Sequence, residues 1–234
     1  MHYLRIWRRE MATKFTRRRI IIGALSSVAW AGAARAEHPF YGGVDYIGNP
    51  DLLPPVESPT DFPIENFASQ IPAKYRRQQV TYGSVEKPGS IIVDPEHRFL
   101  YFILGPDQAI RYGVGVGREG FAWSGQAIIG LKRRWPRWLP PQSMVERDVH
   151  AAEWANGMPG GPKNPLGARA LYLYANGQDT LYRIHGTNEP LSIGKAMSSG
   201  CVRMLNEDVA DLYERAPKGT PVKVLAASDF TAAN

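Results

Sequence analysis

From Gly89 onward the apolar residues come in short runs broken by glycine, proline and Asn/Asp turns. Ser90–Val93 and Arg98–Leu104 flank Asp94-Pro95-Glu96-His97 and read as a hairpin with a proline turn. Gly105-Pro106-Asp107 makes another turn before a strand from Ala109 to Val116. Gly113, Gly115 and Gly117 alternate there; with no helix following, the series suits a bulged strand lining a groove better than a phosphate loop. Ala127–Leu131, Ala170–Tyr174, Tyr182–His185 and Val222–Leu225 supply further strands. Short strands at this spacing predict a mainly β domain, a sandwich or barrel with one or two short helices. One helix is expected over Val145–Asn156, ended by Gly157 and Pro159. The other covers Asn206–Tyr213, with Asn206 as its cap, Glu207 and Asp208 near the positive dipole end, and Val209, Leu212 and Tyr213 facing the core.

The pattern fades upstream. Pro50, Pro54, Pro55, Pro59, Pro63 and Pro72 punctuate residues 37–80, which read as an extended arm that either packs on the domain or reaches a partner. Residues 1–36 read as an export signal. Thr16-Arg17-Arg18-Arg19 precedes the short apolar run Ile20–Trp30, and Ala34-Arg35-Ala36 is an A-x-A cleavage pattern. The adjacent arginines point to the twin-arginine route, and an uncleaved anchor is the alternative. Met11 is a second candidate start. The expected organisation is thus a signal over 1–36, an arm over 37–80, a domain over 81–227 and a tail over 228–234.

Charge follows this division. The signal holds eight of the 28 Lys+Arg and one of the 22 Asp+Glu, so the pI of 9.5 belongs mostly to it and the remainder has a net charge of −1. Net charge therefore gives no support for nucleic-acid binding, which needs a basic folded surface. The chain has one cysteine, so it forms no disulfide within itself, and a free thiol in an oxidising compartment is a liability unless it works.

That cysteine, Cys201, sits in Arg183–Met204, RIHGTNEPLSIGKAMSSGCVRM, sixteen residues after His185. A lone cysteine is usually a buried apolar filler. Here Ser198, Ser199 and Gly200 precede it and His185 opens a His-Gly-Thr-Asn turn, so neither segment reads as core. An imidazole beside a thiol lowers its pKa and carries its proton, and small residues let backbone N–H groups approach an oxyanion. The remaining histidines, His2, His38, His97 and His150, show no metal-ligand spacing, and neither a metal nor a cofactor is expected.

These segments resemble the signature of the L,D-transpeptidase family (YkuD-type catalytic domain), which pairs His-Gly-Thr-Asn with Ser-x-Gly-Cys-x-Arg. Here they are His185–Asn188 and Ser198–Arg203. The resemblance extends to Gly113–Gly125, Trp135–Pro141 and Asn164–Leu173, covering roughly residues 80–226. One departure is Ser199, where many members have histidine. The resemblance implies an exported, periplasmic peptidoglycan enzyme. Cys201 would be the nucleophile, His185 the general base and acid, and the Gly186 main-chain carbonyl the group orienting the imidazole. Backbone N–H groups of Ser199, Gly200 and Cys201 would form the oxyanion hole. Arg203, Thr187 and Asn188 fall to substrate binding; a structural salt bridge is the alternative for Arg203. The implied donor is a tetrapeptide stem, cut between diaminopimelate and D-alanine, with a carbapenem expected to acylate Cys201. The acceptor is another stem's amine or a lysine of an envelope protein. Water as acceptor would make a carboxypeptidase, and a wall-binding module without catalysis is the remaining alternative. Lys132–Leu139, KRRWPRWL, is either a solvated loop over folded tryptophans or a wall of the substrate groove.

Overall fold

The computed structural model describes residues 58, 60–117, 123–198 and 200–226, all in one compact unit. The expected export signal, the first part of the arm and the tail lie outside the described residues. Strands β1 (Gln78–Thr81), β2 (Ile91–Asp94), β3 (Phe99–Gly105), β4 (Gln108–Gly113), β6 (Gly125–Arg134), β7 (Arg169–Ala175), β8 (Gln178–His185), β10 (Val202–Arg203) and β11 (Pro221–Val224) form one sheet. Its order is β1-β4-β3-β2-β11-β6-β7-β8-β10. Strands β5 (Val116–Gly117) and β9 (Ala196–Ser198) make a second, parallel pair. The protein is mainly β, with helices α1 (Gln142–Val145), α2 (Val149–Glu153) and α3 (Asn206–Arg215).

The long sheet is brought back on itself. Gly115 and Arg203 exchange both backbone hydrogen bonds, at 2.9 and 2.8 Å, linking the segment after β4 to β10 at the far edge. Tyr112 and Val114 thereby share a core with Ile184, Val202 and Met204, although they stand at opposite ends of the strand order. Helix α3 closes this core with Val209 and Leu212, and Tyr213 packs at its margin.

Three expectations are corrected. The single strand over Ala109–Val116 ends at Gly113, and the chain crosses to β5 in the other sheet. A side chain at Gly113 would strike the Tyr75 backbone, so the chain is crowded there and turns away. The single helix over Val145–Asn156 is two short ones, because Asp148 leaves helical geometry and caps α2, accepting from the N–H groups of His150 and Ala151. Asn206 is not the cap of α3: Leu205 holds that position without a side-chain bond, and the Asn206 amide is engaged elsewhere.

The proline-rich arm packs on the domain from residue 60 onward. Its 3-10 turns Ala68–Gln70 and Ala73–Tyr75 bury Ile71 and Tyr75, and Gln78–Thr81 joins the sheet as edge strand β1. Only Val80 in β1 is apolar, so no alternation marks this strand: backbone pairing holds it. Asp61 accepts from the Trp135 indole at 3.0 Å and pairs with Arg134, while Phe62 meets the Trp135 ring edge-on. Trp135 is 1% exposed. In the KRRWPRWL cluster Lys132–Arg134 end β6 and the chain leaves the sheet at the buried Trp135, with Arg134 turned to the arm, Arg137 to the Asn156 carbonyl and Lys132 to the Tyr213 carbonyl.

Candidate active site

Strand β10 lies parallel to β8 with Val202 opposite Ile184 and Arg203 opposite His185. Val202 and Ile184 point into the core. Side chains alternate along a strand, so Arg183, His185 and Arg203 share the other face, and Cys201, the residue before β10, comes beside Arg183. Sixteen residues of chain are thus folded back to bring the cysteine, just ahead of β10, beside the strand that ends in the histidine.

His185 is 5% exposed, and its Nδ1 lies 2.6 Å from the Gly186 carbonyl. A carbonyl only accepts, so Nδ1 carries the proton and Nε2 is left as a base. Burial pushes the imidazole pKa down to about 3, with the Arg203 charge next in weight and Arg183 adding to it; the Gly186 hydrogen bond opposes the shift. His185 is therefore neutral across the physiological range.

The turn after His185 is held by Asn206. Its Oδ1 accepts from Ala168 N–H at 2.9 Å and from Thr187 N–H at 3.2 Å, while its Nδ2 donates to the Thr187 carbonyl at 2.9 Å. The clip needs two glycines: a Cβ on Gly167 or on Gly186 would lie 2.2 or 2.1 Å from that oxygen. Asparagine's habit of bonding nearby backbone was the available signal, but it pointed to a cap. Asn164 does similar work one loop away. It is fully buried, its amide donates to the carbonyls of Pro136, Met158 and Pro159, and its oxygen accepts from Leu166 N–H.

Cys201 is half-buried as a residue. Burial of its thiol pushes the pKa up from the ordinary value, against the pull of the Arg183 charge, the Arg183 backbone N–H and, less strongly, Arg203; Asp179 adds to the rise. Gly200 before it adopts φ +127, a region that favours glycine, and its backbone presses on Gly117, where an added Cβ would lie 2.8 Å from the Gly200 Cα. Ser199, expected to lend an oxyanion-hole N–H, lies outside the described residues.

The remaining expected residues are placed as follows. Arg203 pairs with Glu189 at 2.9 Å, and Glu189 is largely exposed. Thr187 is buried, and its Oγ1 accepts from Glu189 N–H. The Asn188 amide donates to the Lys163 carbonyl, so both side chains serve the turn itself. Arg183 and Asp179 escaped the sequence reading. They form a two-pronged ion pair at 2.6 and 2.8 Å, with the guanidinium 4.3 Å from the Tyr172 ring centroid. A bulge in β8 opposite Leu173, where Leu181 takes φ +64, sets this spacing. Among the described residues no group of three or more His, Cys, Asp or Glu is placed to hold a metal.

A depressed imidazole and a raised thiol make the resting pair neutral. Alkylation of Cys201 by iodoacetamide is therefore expected to quicken continuously as pH rises past 9, the ordinary thiol value. A plateau reached below pH 7 would show instead a standing thiolate–imidazolium pair.

The YkuD family model, the L,D-transpeptidase catalytic domain, matches residues 88–224. The probable L,D-transpeptidase YbiS of Escherichia coli K12 is 34% identical over 158 residues, covering 63% of this chain and 48% of that protein. The probable L,D-transpeptidase ErfK/SrfK of Salmonella typhimurium is 28% identical over 151 residues, with coverages of 63% and 47%. The chain thus spans about half the length of the curated relatives it matches. A crystal structure from Brucella melitensis, described as a probable carnitine operon oxidoreductase caia, is 51% identical, covering 68% of this chain and 99% of that one, with a TM-score of 0.46.

Proposed function

Since the chain belongs to the L,D-transpeptidase family, we propose that it transfers peptidoglycan stem peptides through a thioester on Cys201. The observation that carries this reading is the neutral, Nδ1-protonated His185, fixed by Gly186 on the sheet face that Cys201 adjoins. As Sγ attacks the carbonyl of diaminopimelate in a tetrapeptide stem, the thiol proton passes to Nε2 and the S–C bond forms. Backbone N–H groups of Ser199, Gly200 and Cys201 hold the oxyanion. Nε2 then gives the proton to the D-alanine nitrogen as the C–N bond breaks. An incoming amine attacks the thioester, Nε2 takes its proton, and the thiolate recovers it on leaving. One amide replaces another, so no nucleotide is required.

Arg203 is the candidate anchor for a substrate carboxylate, since Glu189 already shows that a carboxylate fits against it. Thr187 and Asn188 are proposed to act on substrate through the turn they build rather than by direct contact. Residues 81–227 would be the catalytic domain and the periplasm its compartment, reached by the twin-arginine route. No helix among the described residues is long and apolar enough to cross a membrane.

The test is intact mass spectrometry of the protein incubated with a disaccharide-tetrapeptide. Release of D-alanine with a transient adduct on Cys201 is expected, and a carbapenem should acylate the same residue. A cross-linked dimer identifies a stem as acceptor, and a trimmed tripeptide identifies water. No adduct and no D-alanine would favour a wall-binding module.

A further inference from the structure

The family match begins at residue 88, yet the arm before it packs against both sides of the cysteine loop. Ile71 and Tyr75 are buried with Ile193, which precedes Cys201, and with Leu205, which follows it. Glu207 adds a tie by accepting from Phe67 N–H at 2.7 Å. Tyr75 is the centre of this contact. Its ring lies against Phe99, with centroids 5.5 Å apart, and fills the space over Gly194, while its backbone covers Gly113. A Cβ on Gly194 would fall 2.2 Å from the Tyr75 ring, and one on Gly113 would fall 2.3 Å from the Tyr75 carbonyl oxygen. The Tyr75 hydroxyl also reaches the Gly194 carbonyl at 3.5 Å.

From Gly194 the connection to Cys201 is short and made of backbone. Gly194 N–H donates to Val114 O at 3.0 Å and Val116 N–H donates to Lys195 O at 3.1 Å. Pairing of β5 with β9 then carries the chain from Ala196 to Ser198. Gly117, at the end of β5, meets Gly200, the residue before the cysteine. Tyr75 and Gly200 are thus joined through the Gly194 turn, the paired backbone of β5 and β9 and the close approach of Gly117.

We infer that residues 67–77 belong to the catalytic unit and that Tyr75 is a positioning residue that sets the loop delivering Cys201. The inference rests on the proposed thioester chemistry for its catalytic readout. Tyr75→Ala is expected to lower kcat for D-alanine release about 100-fold with little change in KM, since small misplacements of a nucleophile cost that much. Tyr75→Phe, which keeps the ring, should stay within about twofold. Gly194→Ala alone should be as damaging as Tyr75→Ala, because its methyl group meets the ring and its φ of +84 disfavours a side chain. In the Tyr75→Ala background the same substitution should add much less than it does alone, the signature of a coupled pair.

Iodoacetamide alkylation of Cys201, followed on all four proteins at several pH values, reads the loop without substrate. A shifted pH profile in Tyr75→Ala, restored in Tyr75→Phe, supports the inference even if no D-alanine is released by the parent protein. That last result would count against the proposed reaction alone. An unchanged profile in Tyr75→Ala, or strictly additive effects of the two substitutions, would overturn the role of Tyr75. Were Tyr75→Ala to fail to fold, the alkylation profile of Gly194→Ala would decide: unchanged, it overturns the inference, and shifted, it supports it.

Discussion

Cys201→Ala is expected to abolish both D-alanine release and the covalent adduct, lowering turnover by about 10⁴-fold or more. The substitution removes the sulfur while leaving β10 and the neighbouring glycines intact, so folding should be unaffected: the residue is only half-buried and belongs to none of the core clusters. His185→Gln tests the other half of the pair. With a thiol pushed up by burial, little thiolate exists at pH 7 without a base to take the proton. Loss of about 10³-fold at pH 7 is therefore expected, with partial recovery as pH rises past 9 and the thiolate forms unaided. Initial rates of D-alanine release between pH 6 and pH 10 check both. If Cys201→Ala kept its turnover, the thioester route would be wrong; if His185→Gln lost activity equally at every pH, His185 would have a role other than proton transfer.

The second large effect is expected at Asn206, which does no chemistry. Asn206→Ala removes three hydrogen bonds at once and leaves the N–H groups of Ala168 and Thr187 and the Thr187 carbonyl without this partner. Unsatisfied groups of this kind cost about 1–3 kcal/mol each, partly recovered where water enters, so a total loss of about 2–4 kcal/mol is expected in urea unfolding. Because the same bonds hold the turn whose Gly186 carbonyl orients His185, kcat should also fall, by about 100-fold. Asn206→Asp keeps the acceptor and loses the donor to the Thr187 carbonyl, so it should fall between the two. A variant with unchanged stability and unchanged kcat would show that the clip is incidental. Both measurements are needed, since a purely structural residue would lower stability and leave the kcat of the folded fraction alone.

The sequence by itself determined those features whose cause is local. The hairpin of β2 and β3 comes from two apolar runs around Asp94-Pro95-Glu96-His97, and β6, β7, β8 and β11 come from runs of the same kind. Alternation and turn chemistry act between near neighbours, so they can be read along the chain. The candidate pair, His185 and Cys201, could likewise be named there, because small polar residues around each kept them out of any core pattern. Tertiary structure decided the rest. The meeting of Gly115 with Arg203, the packing of Tyr75 over Gly194 and the clip of Asn206 onto Ala168 and Thr187 each join residues far apart in sequence. Nothing in their immediate neighbours specifies those partners. The ionisation state of the pair is of the same kind: an imidazole near pKa 3 and a raised thiol follow from burial and from the placement of Arg183 and Arg203, and burial exists only once the sheet has closed.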